Sequence, residues 1–259
     1  MPYWTIYTFS GLVVGLLVGL TGVGGGSLMT PLLVLLFGVH PSTAVGTDLF
    51  YAAATKTVGA SVHAWRGSID WKVFSRLAAG SLPAALICLA ALSQLGVDSR
   101  AASTLISTVL GVALLLTALT LAFRMRIIAW ARSHSVHVAP GRVQTLTVIV
   151  GAVLGAAVVL SSVGAGAIGA TALIILYPDL PLRRLVGTDI IHAIPLTLIG
   201  GLGHLFLGTV TLGLLGMLLL GSIPGIIIGS LLISVIRESW LRYLIAIMLV
   251  LAGVALLAK

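Results

Sequence analysis

The feature that most constrains this chain is its succession of long apolar runs. Ten follow one another, at 3–21, 27–38, 44–63, 73–93, 101–123, 144–162, 167–178, 185–206, 210–235 and 240–258. A helix needs about 20 apolar residues to cross the hydrocarbon core of a bilayer. All but the second and seventh runs approach that length. Charged residues make up 8% of the chain, against about 25% in a soluble domain, too few to cover a water-facing surface. The runs are continuously apolar rather than alternating at every second residue, which argues against a transmembrane β-barrel. The expected fold is an all-α polytopic membrane protein with about ten hydrophobic segments.

The net charge of +8 comes mostly from loop residues, with no basic stripe and no interleaved aromatics. These residues read as topology determinants, and no nucleic-acid partner is expected. The single cysteine, Cys88, sits in an apolar run and reads as a small buried hydrophobe. No disulfide framework or CxxC metal pattern exists, so no metal site is expected. Met1-Pro2-Tyr3-Trp4 lacks the basic start of a cleaved signal peptide, so the first run is expected to be retained.

The chain repeats itself. Val45-Gly46-Thr47-Asp48 recurs as Val186-Gly187-Thr188-Asp189, a shift of 141 residues. At the same shift Gly59, His63 and Gly67 fall on Gly200, His204 and Gly208, and Gly80-Ser81-Leu82-Pro83 falls on Gly221-Ser222-Ile223-Pro224. The expected organisation is a first repeat over 1–123, a basic linker over 124–143 and a second repeat over 144–259. Each repeat has an odd number of segments, so the second enters from the opposite side of the membrane. Placing the linker in the cytoplasm puts 11 of the 14 basic residues there, which obeys the positive-inside rule. Both termini then lie on the periplasmic side of a cell inner membrane, in two inverted five-segment repeats. Inverted repeats with paired broken helices are a recurring plan of secondary transporters, with substrate bound at the repeat interface.

Two glycine clusters mark the breaks. Gly22-Val23-Gly24-Gly25-Gly26-Ser27 precedes the short second run, and Gly164-Ala165-Gly166-Ala167-Ile168-Gly169 precedes the short seventh. Glycine is costly inside a helix, and irregular backbone survives at membrane depth only where protein buries it or it lines a cavity. A helix N-terminus offers unpaired N–H groups and a partial positive charge, which suits an anion. Gly22, Gly24, Gly25, Gly26, Ser27, Gly164 and Gly166 are therefore candidate anion-binding residues, with Ser27 as a helix N-cap. The competing reading of the glycines is close helix packing.

Lys56 lies inside the third run, where a charge is a functional hypothesis by default. It either helps bind an anion or pairs with Asp48 or Asp189. Asp48 and Asp189 read either as N-caps of their own helices or as proton or Na⁺ sites. Thr47 and Thr188 either cap the same helices or offer hydroxyls to substrate. His192 is a proton-coupling candidate on the face of Asp189. His63 and His204, related by the repeat, read as structural hydrogen-bonding groups or proton carriers. Pro83, Pro195 and Pro224 are expected inside helices. Ser161-Ser162 near the second break is the one pair suggestive of a nucleophile, with no supporting motif.

The glycine cluster, Val45-Gly46-Thr47-Asp48, and Gly59-Ala60-Ser61-Val62-His63 through Gly67-Ser68-Ile69-Asp70-Trp71 resemble the sulfite exporter TauE/SafE family, also called the 4-toluene sulfonate uptake permease family. The resemblance implies a bacterial inner-membrane carrier, without an organic cofactor, for sulfite, sulfoacetate or other organosulfonates. The expected function is secondary active anion transport by alternating access, with proton coupling as an addition. The expected partners are a small anion and the lipid bilayer, with a homodimer left open. The alternatives are a carrier of carboxylates or another small metabolite, an intramembrane enzyme, and a membrane-embedded assembly partner.

Overall fold

The computed structural model of the chain describes residues 3–21, 26–64, 69–97, 99–133, 140–232 and 238–258. These form ten helices: α1 (Tyr3–Thr21), α2 (Gly26–Leu35), α3 (Pro41–Ala64), α4 (Trp71–Leu95), α5 (Arg100–Ser133), α6 (Pro140–Ser161), α7 (Ala167–Leu176), α8 (Leu182–Phe206), α9 (Leu212–Leu232) and α10 (Glu238–Leu257). Among the described residues there is no strand. The ten expected runs each became one helix. Proline opens α3 and α6, where its fixed φ suits a first turn and its missing N–H costs nothing.

Among the described residues six helices are long and apolar enough to cross a membrane, and many of their large side chains are exposed. Phe206, Trp240, Leu231, Leu220 and Ile87 are all more than two-thirds exposed, an apolar exterior that only lipid can cover. The chain is therefore a multi-pass membrane protein. At about 1.5 Å per residue, the ten residues of α2 or α7 reach only about 15 Å and cannot span alone. The 34 residues of α5 run beyond a bilayer core of about 30 Å. The polar stretch expected to link the halves is correspondingly shorter than 124–143, because Arg124 to Ser133 are good helix formers and continue α5. His134 and His137 lie outside the described residues.

The helices pair in a way that survives exchange of the halves. α1 packs on α9 as α6 packs on α4, and α3 on α8 as α5 on α10. Glycines set the closest of these approaches. On α1, Gly11, Gly15 and Gly19 lie against the carbonyls of Leu218, Ser222 and Ile226. In return Gly221, Gly225 and Gly229 of α9 lie against the carbonyls of Thr8, Leu12 and Leu16. A Cβ on any of the six would fall within 3.0 Å of the facing oxygen. The second half repeats the register, with Gly151 against Leu77, Gly155 against Ser81, and Gly80 against Val148. In each pair the residue numbers climb together, so both pairs run parallel. Four-residue glycine spacing is the signature of close helix contact in lipid, where packing replaces a hydrophobic driving force.

At the centre, α3 and α8 run the other way. Gly46 meets His204 and Thr209, while Gly200 meets Leu49. One number rises as the other falls, so these two repeat-related helices are antiparallel. α3 is not among the six apolar spans because it carries Thr47, Asp48, Thr55, Lys56 and Thr57. All of these but Thr57 are buried in the middle of the molecule, shielded from lipid by the outer pairs.

Gly15→Ala places a methyl against the Ser222 carbonyl, an overpacking that costs roughly 1–3 kcal/mol. We expect a lower midpoint of thermal unfolding in detergent for Gly15→Ala and Gly155→Ala. Gly216→Ala, which meets nothing within 4 Å, should leave the midpoint unchanged.

Candidate functional site

The second helix break has a defined course. α6 ends at Ser161 and α7 begins at Ala167. Between them Ser162 has φ 57°, Gly164 126° and Gly166 133°. Glycine is needed at 164 and 166 because a side chain is strained there. Among the described residues Ser162 is the one non-glycine with positive φ. It closes α6 in the left-handed conformation common just past a helix end, donating its N–H to Val158 at 2.7 Å. Gly22, Gly24 and Gly25 of the first break lie outside the described residues. Gly26 opens α2, so Ser27 stands in the first turn rather than at the N-cap, and it is buried.

A small polar cavity lies where the two halves meet. Ser27 of α2, Thr117 of α5, and Ser162, Val163, Gly164, Ala165 and Ala167 of the second break line it. Its volume is about 10 Å³, roughly the space of one water. The hydroxyls of Thr117 and Ser162 are buried there without a hydrogen-bond partner. Thr117 was not anticipated; its one sequence signal is a polar residue deep in an apolar run. Ser161 makes no catalytic pair, since its hydroxyl donates to the Ala157 carbonyl at 2.6 Å.

Three buried charged residues lie near the second break without lining the cavity itself. Lys56, 8% exposed, donates from Nζ to the Ala165 carbonyl at 2.8 Å. It thereby joins α3 of the first half to the break of the second. Asp48 accepts the Thr30 hydroxyl of α2 at Oδ2, and Ser162 is turned toward it. Asp189 faces the Gly166 amide at the start of α7, and its Oδ1 crowds Gly169, where no Cβ would fit. Asp48 Oδ1 and Asp189 Oδ1 have no partner. Leu49 meets Gly200 across the antiparallel pair, so Asp189 lies about level with residue 60 of α3. Lys56 therefore sits between the carboxylates, about 12 Å along the axis from Asp48 and about 6 Å from the level of Asp189.

The expected roles of the Gly-Thr-Asp residues need correcting. Asp48 and Asp189 are each the eighth residue of their helix and cap neither. They reach instead to the short helix of their own half. Thr47 and Thr188 do not reach the cavity. Thr47 Oγ1 accepts the Thr211 N–H at 3.2 Å, and Thr188 Oγ1 accepts the Asp70 N–H at 2.8 Å. Residues 70 and 211 are themselves related by the repeat and immediately precede α4 and α9. Each threonine thus clips the other half, and because α3 and α8 are antiparallel the two clips close opposite ends. One end has more. Asp70 caps α4 through the N–H groups of Lys72 and Val73, and Arg184 Nε lies 3.6 Å from its carboxylate.

The histidines separate in the same way. His204 is held on both ring nitrogens, Nε2 donating to the Val159 carbonyl at 3.0 Å and Nδ1 lying 2.8 Å from the Thr209 hydroxyl. His192 lies 2.7 Å from Ser81 of α4 and edge-on to Phe74. Its repeat partner Tyr51 turns toward Ser222 of α9, the equivalent of Ser81. The side chain of His63 lies outside the described residues. If the clips are separate, Thr188→Val leaves the Asp70 N–H unpaired at a cost of about 1–3 kcal/mol. Hydrogen exchange should then speed at the start of α4 in Thr188→Val, and at the start of α9 in Thr47→Val. Equal changes at both ends in either variant would contradict independent clips.

Comparison with known proteins agrees with this arrangement. The family model described as "Sulfite exporter TauE/SafE" matches residues 7–256. The probable membrane transporter protein YjnA of Bacillus subtilis (strain 168) is 38% identical over 201 residues, covering 77% of this chain and 78% of that protein. The probable membrane transporter protein YdhB of the same organism is 27% identical over 198 residues, covering 76% and 77%. A probable membrane transporter protein of Xylella fastidiosa (strain 9a5c) is 41% identical over 64 residues, 24% of each chain. No solved structure matches. A multi-pass helical protein whose two halves share a buried polar centre, matched over nearly its whole length, belongs to the sulfite exporter TauE/SafE family of membrane transporters.

Proposed function

We propose that this chain is a secondary active transporter that moves small sulfur-containing anions, such as sulfite, sulfoacetate or other organosulfonates, across the bacterial inner membrane. The observation that carries the reading is the buried Lys56 ammonium bonded to the second helix break, beside a hydroxyl-lined cavity that this break forms with the start of α2 and with α5. A sulfonate or sulfite group is rich in oxygen acceptors. Ser27, Thr117 and Ser162 supply donors, and the starts of α2 and α7 add partial positive charge. The ammonium that now serves the Ala165 carbonyl turns to the anion when the site is loaded.

The cavity holds about one water, so loading requires the second break to part from α2 and α5. Release of either threonine clip opens one end, and the pseudo-symmetry of the halves makes the two open forms close in energy. The positive-inside rule supports an orientation with the end closed by Thr188, Asp70 and Arg184 in the cytoplasm and both termini outside. Protons accompany the anion, with Asp48, Asp189 and His192 as their candidate carriers. A carboxylate fits the same donors, and a substrate panel separates the two classes.

The test is ligand-induced thermal shift across sulfite, sulfoacetate, other sulfonates and carboxylates, followed by flux in proteoliposomes. We expect the sulfur oxyanions to stabilise the protein most. Lys56→Ala should weaken their binding about ten- to 100-fold, as expected for loss of a charged hydrogen bond of about 1.5–3 kcal/mol. Flux with unchanged affinity in Lys56→Ala would remove Lys56 from the site, and stabilisation by carboxylates alone would replace the substrate class.

A further inference from the structure

The buried centre carries one positive and two negative groups, Lys56, Asp48 and Asp189, none more than 8% exposed. Among the described residues, the elements packed around them bring no further fixed charge. α2 offers Thr30, the second break offers Ser162 and the Gly166 amide, and α5 offers Thr117. The other titratable groups nearby, Tyr51 and His192, stand three residues after Asp48 and Asp189 on the same helices, and His192 lies 2.7 Å from the Ser81 hydroxyl. With both carboxylates ionised the empty site is already negative by one charge. Adding an anion worsens this where each uncompensated ion costs several kcal/mol. Lys56 alone therefore cannot admit an anion. Each carboxylate, however, has one buried oxygen, Oδ1, that has no hydrogen-bond partner among the described residues.

Building on the transport reading above, we propose that Asp48 and Asp189 are the two seats of co-transported protons, and that each negative charge on the substrate crosses with one proton. An O–H bond forms at a free Oδ1 as the anion enters, taking its proton from the water on the open side. The bond breaks as the anion leaves, returning the proton to water on the other side. The full cycle moves no net charge. Two carboxylates suffice for a dianion and no more. The placement of the two seats also joins them to the ends of the molecule. Asp48 directly follows the Thr47 clip and Asp189 directly follows the Thr188 clip, so each seat is one peptide unit from a closure.

The experiment uses the full-length protein in proteoliposomes, with methanesulfonate as a monoanionic probe and sulfoacetate as a dianionic one. Under a tenfold proton gradient, one proton per charge gives accumulation of about tenfold for the monoanion and about 100-fold for the dianion. A potential imposed with potassium and valinomycin should leave both unchanged. Asp48→Asn and Asp189→Asn each leave one seat, so each should cut gradient-driven accumulation of sulfoacetate from about 100-fold to about tenfold and make it follow the imposed potential. Accumulation by the unaltered protein that follows the potential overturns the proposal, as does accumulation of sulfoacetate that stays near 100-fold in both Asn variants. If an Asn variant fails to fold, the potential dependence and the monoanion-to-dianion ratio of the unaltered protein decide alone. Absence of any flux of either probe contradicts the transport reading itself, and with it this inference.

Discussion

A carbonyl set free inside a membrane must find a donor within the protein, and here the Ala165 carbonyl finds Lys56. That one hydrogen bond ties the central helix of the first half to the broken helix of the second. It satisfies two expensive groups at once, an ammonium at bilayer depth and a backbone acceptor outside a helix. The outer helices exist in this account to keep that centre dry. The glycine-faced pairs α1–α9 and α4–α6 bring backbones together closely enough to seal the flanks. Their lipid-facing sides carry the large apolar residues.

The Gly-Thr-Asp unit of each half gains a physical meaning from its surroundings. Gly46 allows α3 to approach the end of α8, where a Cβ would meet His204 and Thr209. The threonine clips the helix start of the opposite half, and the aspartate holds the short helix of its own half. Three consecutive residues thus connect the packing of the central pair, one end closure and one short helix. A charge change at the aspartate is placed to alter all three. The two units are not identical, since only the Thr188 end adds the Arg184–Asp70 ion pair.

Much of this was legible in the sequence. The apolar runs foretold each helix, and the shift of 141 residues foretold which helices correspond. Lys56 and the glycines at 164 and 166 stood out because charge and glycine are costly at that depth. What escaped was whatever depended on partners distant in the chain. Thr47 and Thr188 read as capping or substrate hydroxyls, but their partners lie 164 and 118 residues away. Asp48 and Asp189 read as caps because they follow Gly-Thr, whereas their helices begin seven residues earlier. Thr30 and Thr117 passed unnoticed, since a lone threonine in an apolar run gives no sign of which way it faces. The four-residue glycine spacings of α1 and α9 also passed unnoticed, and their meaning is clear only from the opposing carbonyls.

The central claim is that one buried site, shared by the halves, is reached in turn from either side of the membrane. Thr117→Cys, made in a Cys88→Ser background, puts a single thiol on the wall of that site. Its labelling by a membrane-impermeant thiol reagent in sided vesicles tests the claim directly. The account predicts labelling from both faces, slowed from each by saturating sulfoacetate. Labelling from one face only, or labelling indifferent to the anion from both, would contradict it.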